Sequence, residues 1–353
     1  MRIVITGGAG FIGSNLCLQL KAKHPDYSLV AFDNLRRRGS ELNLPDFKKF
    51  GIEFIHGDIR NPEDLQAIGS FDLMIEASAE PSVLAGLSTD PTFVIQNNLY
   101  GSINCFNACL HNKAKLIFLS TSRVYPIAPI ENANFIEEET RFSFHPDQTE
   151  PGISSLGISE KLSLAGARSF YGATKLSSEQ FIQEYASFYG LEAAVTRFGV
   201  VAGPRQMGKT DQGIATLWMA KHFWKNSITY IGYNGSGKQV RDILHIDDLI
   251  TLIEMQIHQM DKFIGKVFNA GGGMDSSISL LEMTALCEKI TGHKVEVNRQ
   301  YENRPADLRI FISDNTSIVQ DTGWKPTKTL TDIFSDTFHW MKKNESSLKP
   351  MFN

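Results

Sequence analysis

Gly7-Gly8-Ala9-Gly10-Phe11-Ile12-Gly13 is the stretch that decides the fold of this 353-residue chain. It follows a strand-like run, Arg2-Ile3-Val4-Ile5, and precedes a helical pattern over residues 14–20. In that context Gly7 permits a tight turn, Gly10 lets a pyrophosphate approach the backbone, and Gly13 lets the helix lie close to the sheet with its N-terminus facing the anion. The glycines therefore predict a strand, turn and helix that bind a dinucleotide; an ordinary glycine turn is the alternative.

A carboxylate ends the next predicted strand. Asp33 lies about 20 residues beyond the glycines, where it can accept hydrogen bonds from both ribose hydroxyls of an adenosine and would repel a 2′-phosphate. The arginines at residues 36–38 could accommodate that phosphate, but we interpret them as a solvated loop and expect NAD rather than NADP. Asp58 and Ile59 follow the third strand and are placed to contact adenine, with an acidic turn residue as the alternative interpretation of Asp58.

The composition favours a small-molecule partner. Hydrophobic residues make up 42% of the chain, and the formal net charge of −4 argues against a nucleic-acid or membrane-surface protein. The four cysteines show no Cys-x-x-Cys spacing and no nearby histidine cluster, so we expect neither a disulfide framework nor a metal site. No apolar run reaches the roughly 18 residues of a membrane span, and no signal peptide pattern is present, so we expect a cytoplasmic protein.

Short apolar runs alternate with helical patterns through the first half of the chain, which predicts β-α units and a parallel sheet covered on both faces. The runs are residues 3–5, 29–32, 54–55, 73–75, 116–119 and 193–195. From about Gly199 the rhythm breaks, and we expect a second, smaller domain. The long polar segment between Pro126 and Ser169 is interpreted as a substrate-covering flap, with an inert surface insertion as the alternative.

Tyr171 and Lys175 form a candidate catalytic pair. Four residues apart on a predicted helix, they share one face. A tyrosine that titrates near 10 needs its phenolate stabilised by about three pKa units, roughly 4 kcal/mol, to act as a base near neutrality. An ammonium about 4 Å away in an effective dielectric near 20 supplies roughly that amount. Thr121, after the run at residues 116–119, is the expected third member that holds the substrate oxygen, with Ser122 as the alternative.

These residues resemble the extended short-chain dehydrogenase/reductases, the family of nucleotide-sugar epimerases and dehydratases. The resemblance spans nearly the whole chain and includes Asn98-Leu99-Tyr100-Gly101-Ser102, Gly203-Pro204-Arg205-Gln206, residues 237–248 and Gly323-Trp324-Lys325-Pro326. It implies an α/β fold with a doubly wound parallel-sheet Rossmann domain at residues 1–198, to which residues 240–270 return. It also implies a smaller mixed α/β nucleotide-sugar-binding domain from residues 199–239 and 271–353.

The resemblance implies roles that spacing alone does not assign. It places Arg241 and Arg304 near the phosphates of a nucleotide, to which a guanidinium fork is suited, and Asp307 near its ribose or sugar. The candidate catalytic residues are Thr121, Tyr171 and Lys175. The candidate cofactor residues are Gly7, Gly10, Phe11, Ile12, Gly13, Asp33, Asn34, Asp58, Ile59, Ala77, Asn98, Ser120, Tyr171 and Lys175. The candidate substrate residues are Ser122, Arg205, Gln206, Gln212, Arg241, Arg304 and Asp307. The resemblance also implies a homodimer, formed through the helix leading to Cys105 and Cys109 and the helix bearing Tyr171.

Several residues differ from the family pattern, and some of these differences limit which reactions the chain is expected to catalyse. Glu76-Ala77-Ser78-Ala79 replaces the His-x-Ala-Gly that often follows the fourth strand, and Val200 stands where many members carry an asparagine that contacts substrate phosphate. Dehydratases of the family carry Asp-Glu directly after the catalytic threonine, and related decarboxylases carry a glutamate at the position of Arg123. Here Ser122-Arg123 stand instead, and an arginine cannot act as a base at neutral pH.

We therefore expect epimerisation of a nucleotide-linked sugar through a keto intermediate, which needs only the Tyr171 and Lys175 pair. The resemblance is greatest to members that act at C2 of a CDP-linked dideoxyhexose. Epimerisation of a UDP-sugar at C4 is the alternative, followed by an NADP-dependent nucleotide-sugar reductase. Relatives of this fold that bind a dinucleotide without catalysis lose the pair, which this chain keeps.

Overall fold

The chain, seen in a computed structural model that describes residues 1–87, 89–208 and 212–352, divides into two compact units. The first unit comprises Met1–Thr121, Phe170–Arg197 and Ile250–Val267, and the second comprises Ser122–Ser169, Phe198–Leu249 and Phe268–Asn353. Part of the predicted return segment, residues 250–267, belongs to the first unit. Residues 122–169 pack with the second unit, which is therefore not the smaller of the two. Which unit binds which ligand stays a prediction.

The described residues form alternating strands and helices. The strands are β1 (Arg2–Thr6), β2 (Ser28–Asp33), β3 (Glu53–His56), β4 (Leu73–Glu76), β5 (Lys115–Thr121), β6 (Phe135–Glu137), β7 (Phe142–Phe144), β8 (Ile153–Ser154), β9 (Gly157–Ile158), β10 (Ala193–Phe198), β11 (Val200–Ala202), β12 (Ile228–Ile231), β13 (Val240–His245), β14 (Val267–Ala270), β15 (Ser277–Ser279), β16 (Val297–Gln300) and β17 (Ile310–Phe311). The helices are α1 (Phe11–Lys23), α2 (Leu44–Phe50), α3 (Pro62–Gln66), α4 (Thr92–Ile95), α5 (Gly101–Asn112), α6 (Ile127–Glu131), α7 (Phe170–Tyr189), α8 (Ile214–Phe223), α9 (Ile246–His258), α10 (Leu280–Thr291), α11 (Thr316–Thr322), α12 (Leu330–Lys343) and α13 (Glu345–Phe352). A π-helical turn, Gln96–Tyr100, joins α4 to α5. Within the described ranges, no helix combines the length and the apolar content that crossing a bilayer requires.

A seven-stranded parallel sheet has the order β14-β10-β5-β4-β1-β2-β3. All six predicted apolar runs lie in its strands, so the predicted Rossmann-like parallel sheet is confirmed. The chain runs from β1 to β2 and β3 on one side and then crosses to β4 on the other, which makes the carboxyl ends of β1 and β4 a topological switch point. Thr6 is level with Phe32 on one neighbouring strand and with Glu76 on the other, so these strand ends meet at one edge.

The core of the first unit lies between this sheet and α5. Val4, Phe32, Met74, Phe106 and Phe118 are each at most 1% exposed. The rings of Phe106 and Phe118 meet edge to face with their centroids 5.9 Å apart, a favoured aromatic geometry. Burial of each such side chain stabilises the fold by about 1.5–3 kcal/mol, and this packing fixes the strand ends that carry the candidate site.

The second unit contains the segment interpreted above as a flap. That segment forms two short hairpins, β6 with β7 and β8 with β9. Arg141 anchors it, because its guanidinium donates to both carboxylate oxygens of Glu282, at 2.7 and 2.9 Å, and to the carbonyl oxygen of Ser277 at 2.7 Å. The segment is therefore a packed part of this unit, and a substrate-covering role for it stays a prediction.

Candidate active site

The turn between β1 and α1 carries the glycine loop. Gly7 has φ of +64°, and a Cβ on Gly13 would lie 2.2 Å from the carbonyl oxygen of Gly7, so both positions require glycine. A Cβ on Gly10 would meet only that same oxygen within 4 Å among the described residues, at 3.1 Å. Gly10 is the N-cap of α1, whose first turn contains no acidic residue. The loop thus offers open space and helix N–H groups to a pyrophosphate, and it fits a dinucleotide.

Asp33 ties the end of β2 to this loop. Its Oδ2 accepts a hydrogen bond from the backbone N–H of Ala9 at 3.1 Å, and its Oδ1 accepts one from Leu35 at 2.7 Å. Burial raises the pKa of Asp33 above its ordinary value, and these N–H groups oppose the rise. The carboxylate lies at the carboxyl end of β2, where the spacing placed it, and its contact with a ribose stays a prediction.

Asp58 is held by neighbouring side chains. Arg60 donates to both of its oxygens, at 2.9 Å from Nε and 2.6 Å from Nη2, and Asn34 donates to Oδ2 at 2.9 Å. The hydrogen bonds from Arg60 lower the pKa of Asp58 to about 2. These contacts favour the alternative interpretation of Asp58 as a turn residue, and sequence reasoning missed Arg60. Contact of Asn34, Asp58 or the buried Ile59 with adenine stays a prediction.

The arginine loop at residues 36–38 is not simply solvated. Arg36 is exposed, but its guanidinium lies 3.7 Å from the centroid of the Phe93 ring, a cation–π distance. Arg60 approaches the same ring at 5.3 Å. Phe93 therefore orders the side chain of Arg36 next to the strand end that carries Asp33.

Two further cofactor candidates shape the backbone around the glycine loop. A Cβ on Gly7 would lie 2.9 Å from the carbonyl oxygen of Ala77, so the residue after β4 lies against the loop. Asn98 is fully buried, and its amide accepts from the N–H of Glu80 at 2.8 Å and donates to the Glu80 carbonyl at 3.0 Å. Asn98 thus holds the loop that follows β4, and its direct contact with a cofactor stays a prediction.

Helix α7 presents Tyr171 and Lys175 one turn apart and packs against β5, the strand that ends at Thr121. Lys175 is 2% exposed, and its Nζ lies 3.1 Å from Oε2 of Glu76, which is 0% exposed. The same ammonium lies 4.2 Å from the centroid of the Phe118 ring. The three candidate catalytic residues therefore lie on adjacent elements of the first unit, and the lysine is buried in an ion pair.

Sequence reasoning did not assign a role to either of two buried carboxylates. Glu76 differs from the histidine that the family often has at this position, and no role was predicted for it. The signal that could have identified it is a charged residue directly after the apolar run at residues 73–75. Glu179, one turn after Lys175 on α7, accepts a hydrogen bond from the Ser120 hydroxyl and pairs with Arg197 at 2.6 Å. Because the Ser120 hydroxyl donates its hydrogen to Glu179, it is left as an acceptor, and its contact with a cofactor stays a prediction.

Three candidate substrate residues lie close together in the second unit. Arg241, on β13, donates to the carboxylate of Asp307 at 2.7 Å, and both side chains are partly buried. Arg304 is in the same turn, since the N–H of Asp307 donates to its carbonyl oxygen at 3.3 Å. The structure thus pairs the Arg241 guanidinium with the Asp307 carboxylate and places the backbone of Arg304 in the same turn; the contact of these residues with a nucleotide stays a prediction.

The other substrate candidates are more dispersed within that unit. Gln206 uses its own amide within the protein, donating to the Val201 carbonyl at 2.8 Å and accepting from Thr216 at 2.5 Å. Arg205 adopts φ of +73°, which turns the chain before α8. Gln212 directly precedes the left-handed Gly213 that caps α8, and Ser122 opens a 3₁₀ turn after β5. Their contacts with a substrate stay predictions.

Among the residues that the structure describes, two further groups of side chains have donor atoms close enough together for a metal ion. They are His24, Glu254 and His258 in the first unit and His245, Asp247 and Asp336 in the second. A lysine already approaches a carboxylate in each, since Lys23 lies 2.6 Å from Glu254 and Lys328 lies 3.6 Å from Asp247. Neither group includes a candidate catalytic residue.

Residues 3–271 match the model of the NAD-dependent epimerase/dehydratase family. CDP-paratose 2-epimerase of Salmonella typhi is 31% identical over an alignment of 355 positions, which covers 96% of this chain and 99% of that protein. The dTDP-glucose 4,6-dehydratase of Streptomyces griseus is 26% identical, with 99% of this chain and 97% of that protein covered. The crystal structure of UDP-glucuronic acid 4-epimerase from Bacillus cereus, in complex with UDP-glucuronic acid and NAD, superposes with a TM-score of 0.78 at 26% identity and covers 97% of this chain and 99% of that one.

Proposed function

Because this chain belongs to the NAD-dependent epimerase/dehydratase family, we propose that it is an enzyme that epimerises a nucleotide-linked sugar with NAD as its cofactor. The reaction that we propose is that of CDP-paratose 2-epimerase, a relative 31% identical over nearly the whole length of both proteins. The proposed substrate is therefore a CDP-linked dideoxyhexose, and the proposed centre of inversion is C2.

The two residues directly after Thr121 are the observation that favours epimerisation over dehydration. A dehydration needs a base for one carbon-bound proton and an acid for the leaving hydroxyl, in addition to the tyrosine. Ser122 is a poor acid, and Arg123 holds its proton at neutral pH. Epimerisation needs neither group, because a single tyrosine takes the hydroxyl proton and later returns it.

In this proposal the residues of the first unit handle the proton. Tyr171 accepts the proton of the sugar hydroxyl and donates it back after inversion, while Lys175 stabilises the phenolate that exists between these events. The Thr121 hydroxyl holds the reacting oxygen. NAD, when bound at the glycine loop, would supply the hydride chemistry at the sugar carbon. No net oxidation results.

The cluster of Arg241, Arg304 and Asp307 is the proposed nucleotide-binding part of the second unit. The Arg241 guanidinium already donates two charge-assisted hydrogen bonds, one to the Asp307 carboxylate and one to the Val240 carbonyl, each at 2.7 Å. A diphosphate is a stronger partner for a guanidinium than a single carboxylate, because it offers more acceptor oxygens and more charge. Binding would therefore release Asp307 to accept a hydrogen bond from a ribose or sugar hydroxyl.

A cytoplasmic homodimer is part of the proposal. All four cysteines are buried thiols, which suits a reducing compartment. Helix α7 exposes four aromatic side chains, Phe170 at 36%, Phe181 at 42%, Phe188 at 75% and Tyr189 at 69%. Phe181 and Phe188 are seven residues apart and share one face of the helix, and an exposed apolar face of this kind is typical of a subunit interface.

Proton NMR of the purified protein with CDP-paratose, without added cofactor, tests the proposal. We expect the anomeric and C2 signals of the substrate to be joined by those of its C2 epimer, which would establish both the substrate and a retained NAD. If no product forms even after NAD is added, the C2 assignment is wrong, and UDP-glucose and UDP-galactose are the next substrates. Stoichiometric oxidation of NADPH would instead favour the reductase.

A further inference from the structure

The strongest unexplained feature of the first unit is the carboxylate that faces the catalytic lysine. Glu76 and Lys175 are 99 residues apart in the chain and form a fully buried pair at 3.1 Å. The other carboxylate oxygen of Glu76 accepts a hydrogen bond from the Ser78 hydroxyl at 2.9 Å, and Ser78 in turn lies 3.0 Å from the hydroxyl of Thr6. Each carboxylate oxygen of Glu76 therefore has its own hydrogen-bond partner.

A buried pair of this kind needs a reason other than stability. Removing two charges from water costs about as much as their attraction returns, and apolar residues of similar size are often as stable. The residues before Glu76 in β4 are apolar and fully buried or nearly so. Members of the family often have a histidine at this position, so they have no carboxylate next to the lysine. The carboxylate is best explained by its effect on Lys175.

An epimerase makes a particular demand on its tyrosine, because the same group must first take and then return a proton. A general base works best when its pKa lies near the operating pH. An unopposed lysine beside the oxidised, positively charged cofactor would stabilise the phenolate strongly and make the return of the proton slow. A negative charge on the lysine moderates that effect.

We propose that Glu76 is a positioning residue, which holds the Lys175 ammonium on the Tyr171 face of α7 and offsets its charge so that Tyr171 can exchange its proton in both directions. This inference rests on the proposed function. Glu76, which stands where the family often has a histidine, would thus help to set the proton affinity of Tyr171.

Among the described residues, the titratable groups that α5, α7 and β10 contribute near the pair are two thiols and one neutralised carboxylate. On α5, burial raises the pKa of the Cys105 and Cys109 thiols, which stay protonated. Glu179 on α7 is neutralised by Arg197 on β10. β1 contributes the Thr6 hydroxyl and β5 the Phe118 ring, which do not titrate. Glu76 is therefore the charge that distinguishes this lysine from an unopposed one.

The test is a titration of the Tyr171 phenolate by its ultraviolet absorbance in the cofactor-containing protein, with Tyr171→Phe subtracted to isolate the signal. In an effective dielectric near 20, the loss of a unit negative charge lowers a phenol pKa by about one unit when about 10 Å separates the two groups, and by more when they are closer. We expect Tyr171 in Glu76→Gln to titrate about one unit lower than in the wild type. Glu254→Gln, which removes a partly buried ion-paired carboxylate from α9, is the matched control and should leave the titration unchanged.

A purely structural role for Glu76 would not move this titration. An unchanged or higher phenol pKa in a folded Glu76→Gln protein overturns the proposal. If that variant does not fold, Glu76→His, the residue that family members accommodate there, replaces it in the same experiment with the same criterion at pH values where the imidazole is neutral. The acid limb of the pH profile for turnover should shift in the same direction as the titration.

The titration needs no substrate, so the two proposals fail separately. Wild-type protein that epimerises its substrate but shows no shift in Glu76→Gln keeps the proposed function and loses the role of Glu76. Protein that shifts as expected but epimerises no nucleotide sugar loses the proposed function and keeps the control of Tyr171 by Glu76.

Discussion

Tyr171 and Tyr185 lie on the same helix in different surroundings. Tyr171 is half-buried and has Lys175 one turn further on, whereas the Tyr185 hydroxyl donates to the Asn107 side chain at 2.8 Å. A phenylalanine keeps the ring in either place and removes only the hydroxyl. The pair therefore allows the same substitution to be compared with and without the proposed proton transfer.

We expect Tyr171→Phe to lower kcat by about 10²- to 10⁴-fold, the usual contribution of a general acid-base group. NAD should remain bound, because the glycine loop and Asp33 are unchanged. Turnover is measured by NMR and bound NAD after denaturation of the protein. Tyr185→Phe should keep wild-type turnover. Full activity in Tyr171→Phe would refute the proposed role of the tyrosine.

Single residues also mark how far the sequence could be interpreted. Local spacing correctly located Asp33 at a strand end and put Tyr171 and Lys175 on one helix face, because both relations depend only on the period of one element. The partner of Lys175 could not be predicted, since Glu76 is 99 positions away and meets it only through the packing of α7 against the sheet. The contacts of Asn98 and Asp58 were missed for the same reason: a spacing pattern does not show whether a polar side chain is already satisfied by the protein.

In the turn between β1 and α1, substitutions at two glycines can distinguish an effect on NAD binding from an effect on folding. Gly10→Ala places a methyl group in open space with one contact at 3.1 Å, and the φ of −72° at this residue suits alanine. We expect this variant to fold with near-wild-type stability and to retain at least tenfold less NAD, because the methyl group would fill the space predicted for the pyrophosphate. Retained cofactor and thermal unfolding are measured on the same sample.

Gly13→Ala provides the contrast, because its methyl group would lie 2.2 Å from a backbone oxygen. We expect this variant to lose stability as well as NAD, since α1 must move away from the turn. Undiminished NAD in Gly10→Ala would show that the pyrophosphate does not approach that residue.

Helix α7 is also joined to β10 by the buried pair of Glu179 and Arg197, at 6% exposure or less. Glu179→Ala leaves a buried guanidinium without its partner, which costs about 3–5 kcal/mol of unfolding free energy. Urea unfolding should show this loss, and the double variant with Arg197→Met should recover most of it. Glu184→Ala, at an exposed site on the same helix, should change stability by about 0.5 kcal/mol at most. An equally stable Glu179→Ala would show that the pair does not hold the helix.

The elements themselves differed in how well the sequence predicted them. Apolar runs bounded by turns identified the strands of the parallel sheet, because a strand buried on both faces must be apolar along its length. The sequence did not predict that residues 122–169 belong to the second unit, since the hairpin strands are only two or three residues long. Their position depends on tertiary contacts such as that of Arg141 with Glu282. The π-helical turn at Gln96–Tyr100 has no periodic signature that differs from an α-helix.

For the whole molecule, the exposed aromatic face of α7 predicts self-association. Phe188→Glu places a charge where 75% of a phenylalanine is exposed, so it should leave the folded subunit intact and destabilise a dimer. Light scattering after size-exclusion chromatography should give twice the subunit mass for the wild type and a concentration-dependent shift towards the monomer for the variant. Phe50→Glu, at a 50% exposed phenylalanine of α2, should remain dimeric. A wild-type protein that is monomeric at all concentrations would refute the dimer.

The parallel sheet is assembled from chain segments that are far apart in sequence, which has a consequence for synthesis on the ribosome. β5 ends at Thr121, but its neighbour β10 begins only at Ala193. Because a ribosome adds 5–20 residues per second, β5 waits roughly 4–14 s with an unpaired edge before that neighbour emerges. An unpaired strand edge invites pairing with other chains, so the nascent chain is most vulnerable to aggregation in this interval, and slower translation between β5 and β10 would lengthen it.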